Sequence, residues 1–520
     1  MIADNKRKAF DFNTGTADKL LLVIPLVLSL YVIASYFNYS TELNRFPTFP
    51  LDDAWIFWGF ADTFADQGVL SLNSRTLAGA GVTSPGYMLI LSLFIKLGFN
   101  DEFIVNLILN ATLLFLSSVL IYRITDHIVK DRLIALFFAG LFILDARTGS
   151  IANSGMETLL FIFIQLLIFF LLQKEKLPLV FLFTGLGFWI RPEILAIVPA
   201  VLLLYRKHLR IKDFVYLGLP LLAYTAFLKV FTGNFWLNTG AAKNDFYSYI
   251  SRWDYLKASF LYLGKTAFPF LPLLVLLVLL LKLPKIKFFR NTLPGNMSSE
   301  DLRVLAAIVF YFFSFWFAFL LYLPVLYHFG RYLFPLVPLL FLVSAYIIKW
   351  MTAEKKENSG LKRFPGRFRW IAYTVLFVTL GIAVFNFVDG KKYYAYECRS
   401  FLQRHIKLSY WIKENLPGDV SIATHDIGAI GYFTGKRVID IIGLMDKEAV
   451  GISRDPQRIR TFLDKRKCDY IAVINKWFVV TGSKLLFETP VKGDIRFQIF
   501  KYGKDTQVIR YDLYHEKKRN

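Results

Sequence analysis

Apolar runs long enough to cross, or nearly cross, a bilayer recur through most of this chain, at 19–37, 103–123, 132–146, 155–173, 177–190, 194–206, 212–231, 259–281, 303–323, 331–350 and 369–388. Hydrocarbon offers no water to peptide groups, so each run must satisfy its own N–H and C=O groups, and a single segment does so only as a helix. The pattern predicts a multi-pass α-helical membrane protein with about eleven transmembrane helices. Composition agrees: of 520 residues, 55% are hydrophobic and 17% aromatic, and the mean hydropathy of +0.46 lies outside soluble usage. The first run has no small-residue cleavage site after it and reads as a retained anchor.

The net charge of +22 does not point to nucleic acid, because the basic residues fall in short runs between apolar segments. Examples are Lys6-Arg7-Lys8, Arg206-Lys207, Lys282 with Lys285, Lys287 and Arg290, and Lys355 through Arg369. Such runs mark cytoplasmic loops and suit anionic headgroups. With the N-terminus inside, the basic loops at 123–132, 174–176, 206–212, 282–303 and 349–369 all fall inside. Two consequences follow. Ser84 to Gly98 must be an external helix on or dipping into the membrane. Leu177 to Arg206 must go out and back as two short helices with Arg191-Pro192-Glu193 at the tip.

The pattern divides the chain into a membrane domain, 1–388, with an external loop at 38–102, and an external soluble α/β domain, 389–520. The latter predicts an amphipathic helix around Ser400 to Asn415 and strands near Val420 to Ala423, Arg437 to Ile442 and Tyr470 to Ile474, with more towards the end. Cys398 and Cys468 lack metal-site spacing and are compatible with one disulfide or two buried thiols. No inverted repeat of the transporter kind is visible.

Chemistry concentrates on the external side. Asp52 and Asp53 open a stretch, Ala54 to Gln67, whose Trp55, Ile56, Trp58, Phe60 and Phe64 suit a helix at the membrane interface. One acid can cap that helix and the other complement its dipole. Two acids exceed what a cap requires, and a carboxylate there can take a proton from an acceptor hydroxyl. Arg191 and Glu193 form either an internal ion pair or, through the guanidinium fork, a phosphate contact. Lys243, His328 and Arg331 lie on the same side and add positive charge for a lipid phosphate, although Arg331 could simply snorkel. Glu157 either caps a helix start or contacts a substrate hydroxyl. His425 and Asp426 lack a third metal ligand.

The phrases Asp52-Asp53-Ala54-Trp55-Ile56, Gly81-Val82-Thr83-Ser84-Pro85-Gly86-Tyr87, Ser154-Gly155-Met156-Glu157-Thr158, Trp189-Ile190-Arg191-Pro192-Glu193, Asn238-Thr239 with Lys243, Gly330-Arg331-Tyr332-Leu333-Phe334-Pro335, and Asp426-Ile427-Gly428-Ala429-Ile430-Gly431-Tyr432 before Asp440-Ile441-Ile442-Gly443-Leu444 run in order over nearly the whole chain. Together they resemble the GT-C superfamily of membrane glycosyltransferases, most of all its AftB-like, arabinofuranosyltransferase-related bacterial branch. The resemblance implies a helical core in the bacterial inner membrane, an active-site loop after the first span and a periplasmic C-terminal domain. It implies a polyprenyl-phosphate sugar donor, a cell-envelope glycan or glycolipid acceptor and inversion at the anomeric carbon. Asp52 would be the general base with Asp53 in support. Arg191, Lys243 and Arg331 would bind the donor phosphate, and Glu157, Glu193, Thr83, Ser84, Asn238 and His328 the substrates. The loop departs from the pattern in carrying Gly86-Tyr87 after the proline, where relatives often have Leu and Trp, so its pocket is expected to differ.

No cofactor is required by this scheme, though Asp52, Asp53 and Glu157 could share a divalent cation. The alternatives are a lipid A or protein glycosyltransferase of the same superfamily, and a transporter or flippase for a polyprenyl-linked glycan. The latter predicts ionisable groups along a path through the membrane, whereas here they gather on one face.

Overall fold

The computed structural model describes residues 16–76, 79, 81–267, 299–352, 365–490 and 494–514. Several expected features lie outside these residues: Lys6-Arg7-Lys8, the cluster Lys282 to Arg290, the linker from Lys355 to Phe364 and the second half of the expected span at 259–281.

The helices of the membrane part are α1 (Thr16–Asn44), α2 (Asp52–Gln67), α3 (Pro85–Lys96), α4 (Glu102–Val129), α5 (Arg132–Leu144), α6 (Ala146–Ala152), α7 (Thr158–Gln173), α8 (Leu177–Phe188), α9 (Ile197–Leu204), α10 (Ile211–Thr232), α11 (Thr239–Phe246), α12 (Arg252–Ala267), α13 (Ser299–Tyr322), α14 (Leu336–Thr352) and α15 (Pro365–Phe401). Short polar residues set several starts. Asp101 Oδ1 accepts from Phe103 N and Ile104 N, both at 2.9 Å, and Asp131 and Asp145 cap α5 and α6 in the same way. Ser84 caps α3, with Pro85 in the first turn.

Among the described residues five helices are long and apolar enough to cross a membrane: α1, α4, α10, α13 and α15. The α5–α6 pair, bent by 58°, makes up to six, and shorter apolar helices at Thr158–Gln173, Leu177–Phe188, Pro192–Leu204 and Leu336–Lys349 occupy other expected spans. Helix length therefore supports a multi-pass protein without fixing the count at eleven. Apolar residues such as Leu20, Ile211, Val230 and Phe385 are exposed on long helices, as lipid-facing side chains must be. The Leu177 to Arg206 segment forms the expected pair, α8 and α9, joined through a 3₁₀ turn at Pro192–Ala196. Ser84 to Gly98 is a single short helix, α3.

The hydropathy change near 388 is not a break in the backbone. Helix α15 runs on through a π turn at Leu402–Ile406 into α16 (Lys407–Asn415), so one rod enters the soluble domain. That domain continues with β1 (Ser421–Thr424), α17 (Gly428–Thr434), β2 (Arg437–Asp440), α18 (Pro456–Lys465), β3 (Tyr470–Ile474), β4 (Phe478–Thr481), β5 (Leu485–Glu488), β6 (Phe497–Lys501) and β7 (Gln507–Arg510). Its main sheet has the order β2-β1-β3-β6-β5: β1 pairs in parallel with β2 and β3, while β6 is antiparallel to β3 and β5. A separate antiparallel ribbon joins β4 and β7. Every residue of β1 and β3 is buried, as expected of strands covered on both faces. Cys398 and Cys468 are free and buried.

The loop after α1 is laced to this domain. Asn73 Nδ2 donates to the carbonyls of Gly431 and Lys436 at 2.9 and 3.0 Å, and Val438 N donates to Thr76 Oγ1 at 3.1 Å. Buried Asp440 accepts from Ile442 N, Gly443 N and Met445 N, shaping a turn so close to the loop that a Cβ at Gly79 would meet the Met445 carbonyl oxygen at 2.8 Å.

Candidate active site

Helix α2 is not an interfacial helix. Its Trp55, Trp58 and Phe60 are at most 2% exposed, and Trp55 packs on Phe49 and Phe103 on one side and on Tyr432 and Phe433 of the soluble domain on the other. The expected lipid-facing rings are instead the joint between the two parts of the protein. Nor does Asp52 cap its own helix, whose N-cap is Leu51 with no side-chain cap bond. The Asp52 carboxylate accepts from Gly428 N at 2.7 Å and Ala429 N at 2.8 Å, the first amides of α17. It caps a helix 376 residues further along the chain. Any side chain at Gly428 would collide with the Asp52 backbone oxygen and press on its carboxyl group.

Asp53, one residue on, faces the cations. Its Oδ2 accepts from Arg331 Nη2 and, at 3.2 Å, from Lys243 Nζ, while the Tyr332 hydroxyl lies 3.0 Å from Arg331 Nη2 and 3.4 Å from Lys243 Nζ. Two cations against one carboxylate leave one excess positive charge. Arg331 is 4% exposed, and its Nε and Nη1 are buried without a hydrogen-bond partner. An unsatisfied buried donor costs about 1–3 kcal/mol, a penalty that an incoming anionic oxygen would remove. Just before it, His328, Phe329 and Gly330 have φ of 60°, 62° and 66°. This run of left-handed residues, rare outside glycine, is held by Tyr262 Oη donating to the Phe329 carbonyl at 3.0 Å.

A third acid completes the cluster. Asp426 lies at the mouth of α17 and shares a 2.9 Å hydrogen bond with His405 Nε2. Burial, followed by the charge of Asp426, lifts the Asp52 carboxyl well above its ordinary value, outweighing the two amide bonds. Asp53 behaves oppositely: burial would raise it, but Lys243 and Arg331 prevail and hold it well below the carboxylate range. Burial and then Arg331 push His328 down to about 4, leaving it a neutral imidazole at physiological pH. Two adjacent aspartates thus become a basic carboxylate and a fixed anion.

All these groups line one cavity of about 1670 Å³. Its lower part is an apolar crevice between membrane helices, walled by Leu141, Phe260, Leu261, Phe341, Ile382 and Ala383. Its upper part lies under the soluble domain and includes Lys476, Trp477, Arg510 and Asp512.

Of the residues singled out in the sequence, Asp52, Asp53, Lys243, His328 and Arg331 line this cavity, as do His425 and Asp426. The others do not. Arg191 sits behind the wall, its guanidinium over the rings of Phe161, Phe319 and Tyr332 and 3.4 Å from Glu193 Oε1, which is the internal ion pair. Glu157 occupies the N-cap position of α7 but makes no side-chain cap bond, and its Oε2 is buried without a partner. Ser84 caps α3, with Thr83 immediately before it, and Asn238 precedes α11 with its Nδ2 buried and unpartnered. Among the described residues no three His, Cys, Asp or Glu side chains group as an ion site, the trio Asp52, Asp53 and Glu157 included.

The sequence reading passed over Asp145 and Arg147 on the cavity wall, where the guanidinium binds both Asp145 oxygens, Nε to Oδ1 at 2.9 Å and Nη2 to Oδ2 at 2.5 Å. The signal was there: an acid and an arginine at the end of an apolar run. His405 lies on the helical rod that leads into the C-terminal domain, and no local pattern marks it.

Residues 393–513 match a family described as a domain of unknown function, DUF8728. No curated protein matches the sequence. Solved structures do resemble the whole architecture. ArnT from Cupriavidus metallidurans bound to undecaprenyl phosphate superposes with a TM-score of 0.53 at 10% identity, over 94% of this chain and 98% of that one. Its apo state gives 0.52 at 11% identity over the same shares. The archaeal oligosaccharyltransferase AglB from Archaeoglobus fulgidus, in complex with an inhibitory peptide and a dolichol-phosphate, gives 0.50 at 12% identity, over 88% of this chain and 70% of that one. At such identities the likeness is one of fold, a helical membrane part carrying a C-terminal domain with strands.

Proposed function

We propose that this chain is a glycosyltransferase that moves a sugar from a polyprenyl-phosphate donor to an acceptor hydroxyl at the extracytoplasmic face of a bacterial inner membrane, with inversion. The observation that carries the reading is a single cavity joining an apolar crevice, a cation pair with unpartnered Arg331 donors, and a carboxylate of raised basicity. The matched folds include one solved with undecaprenyl phosphate and one with a dolichol-phosphate, which supports the same class of donor here.

In this scheme the prenyl tail occupies the crevice and the donor phosphate meets Arg331 and Lys243. The acceptor oxygen attacks the anomeric carbon from the side opposite the phosphate. As the new C–O bond forms, the old one breaks and its electron pair leaves on polyprenyl phosphate. The acceptor proton passes to Asp52, whose two amide bonds fix its carboxylate while each oxygen keeps a further lone pair. Charge accumulates on the leaving phosphate in the transition state, and fixed cations that bind it more tightly there accelerate the step. Asp53 keeps Arg331 and Lys243 in place. Arg191 supports the Tyr332 ring from behind and serves the phosphate only indirectly.

The test is transfer of radiolabel from undecaprenyl-phosphate sugars to membrane extract by the purified protein, measured against pH. Asp52 must be ionised to act, so the rate is expected to rise with pH through a midpoint above the ordinary Asp value of about 3.9. Asp426→Asn removes the negative charge facing Asp52 and is expected to move that midpoint down. An unmoved midpoint would show that Asp52 and Asp426 do not sense each other.

A further inference from the structure

The soluble-domain end of the cavity is not used by the chemistry above. It is built by two elements that approach from opposite sides. The turn after α11 supplies Tyr247 and Tyr249, and the β4–β7 ribbon supplies Trp477, immediately before β4, and Arg510, the last residue of β7. The ribbon pairing places Phe478 opposite Arg510, and Tyr511 N donates to the Trp477 carbonyl at 3.0 Å, so Trp477 and Arg510 are held side by side.

Their rings make one surface. Trp477 lies 5.0 Å from Phe246, 6.1 Å from Tyr247 and 6.4 Å from Tyr249 between centroids, and Tyr327 lies 5.9 Å from Tyr247. Phe246 is buried beneath, whereas Tyr249 and Tyr327 are 46% and 44% exposed. Beside the rings, Arg510 grips Asp512 with two hydrogen bonds, Nε to Oδ1 at 3.1 Å and Nη2 to Oδ2 at 2.8 Å. Its guanidinium lies 5.6 Å from the Phe246 centroid and 5.5 Å from that of Tyr249. Arg510 is 4% exposed, and its Nη1 has no partner.

Partly open aromatic rings, Tyr249 exposed and Trp477 and Tyr247 half-buried, next to a planar Arg–Asp pair fit a ring that has an apolar C–H face and hydroxyls at its edge. That is a sugar. An acyl chain would find charge at this end. We propose that Trp477, Tyr247, Tyr249 and the Arg510–Asp512 pair form an acceptor subsite for a glycan, whose penultimate ring stacks on the aromatic surface while its terminal hydroxyl reaches Asp52. The subsite rests on the transferase reading and narrows its acceptor class to carbohydrate. It also gives the small ribbon of the 393–513 domain a purpose, that of bringing Trp477 and Arg510 to the membrane cavity.

The experiment uses the full-length protein in nanodiscs, with labelled undecaprenyl-phosphate sugar as donor and serially diluted membrane extract as acceptor source. In Trp477→Ala the extract concentration giving half-maximal transfer is expected to rise by about tenfold, the scale of one lost aromatic contact, while the thermal shift produced by undecaprenyl phosphate is kept. Trp477→Phe is expected to recover most of the loss. The labelled product is expected to survive protease and to show, by linkage analysis, the labelled sugar joined to another sugar. An unchanged half-saturation in Trp477→Ala, or label found in protein, would overturn the subsite while leaving the transferase reading intact. Absence of transfer by the unmodified protein would overturn that reading, and the subsite with it.

Discussion

Replacing Asp52 by Asn is expected to lower glycosyl transfer by about 10²- to 10⁴-fold, the range ascribed to a positioned general base. The change removes the basic group and also disturbs its seat. Both carboxylate oxygens now accept amides of α17, and the Asn amide would set an N–H₂ donor against one of those N–H groups. Some loss of stability is therefore expected, about 1–3 kcal/mol for a spoiled buried hydrogen bond. The two effects separate experimentally. Binding of undecaprenyl phosphate depends on Arg331 and Lys243, so Asp52→Asn should still show its thermal shift while transfer collapses. Transfer at the unmodified rate would remove Asp52 from the mechanism.

Asp53→Asn is expected to act first on stability. It leaves buried Arg331 and half-buried Lys243 without the carboxylate they contact, and breaking a buried pair typically costs about 3–5 kcal/mol. Since Asp53 is held below the ordinary carboxylate range, its contribution is complete at any pH above that range. It is lost only on strong acidification, so the comparison is clean at neutral pH. The cations freed by this substitution are the ones assigned to the donor phosphate. Undecaprenyl phosphate should then bind the variant more tightly than the parent and restore much of the lost melting temperature, because a ligand that binds only the folded state stabilises it by mass action. A variant that melts low and is not rescued by the lipid would mean that the phosphate sits elsewhere.

The multi-pass helical character was readable because hydrocarbon leaves the backbone one local solution. Strands β1, β2 and β3 were readable for a similar reason, each being a short apolar run between turn residues. What the residues could not reveal was the long-range docking. Trp55 and Trp58 have the composition of an interfacial helix and also that of a buried joint. Only the approach of Tyr432 and Phe433 decides between them. Asp52 and Asp53 are neighbours in the chain, yet one meets amides more than 370 residues away and the other meets Lys243 and Arg331. Their opposite ionisation comes from the long-range packing: burial and Asp426 raise Asp52 against its amide bonds, while Lys243 and Arg331 lower Asp53. Arg191 illustrates the converse: its short-range partner Glu193, two residues on, was visible, while the Tyr332 ring that screens it from the cavity was not.

The most direct measurement is an experimental structure of the protein with undecaprenyl phosphate. The account predicts the phosphate within hydrogen-bond distance of Arg331 Nε or Nη1 and of Lys243 Nζ, the tail in the crevice beside Phe260, Phe341 and Ile382, and the Asp52 carboxylate facing the same space. A phosphate bound outside this cavity, or one reached by neither Arg331 nor Lys243, would contradict it.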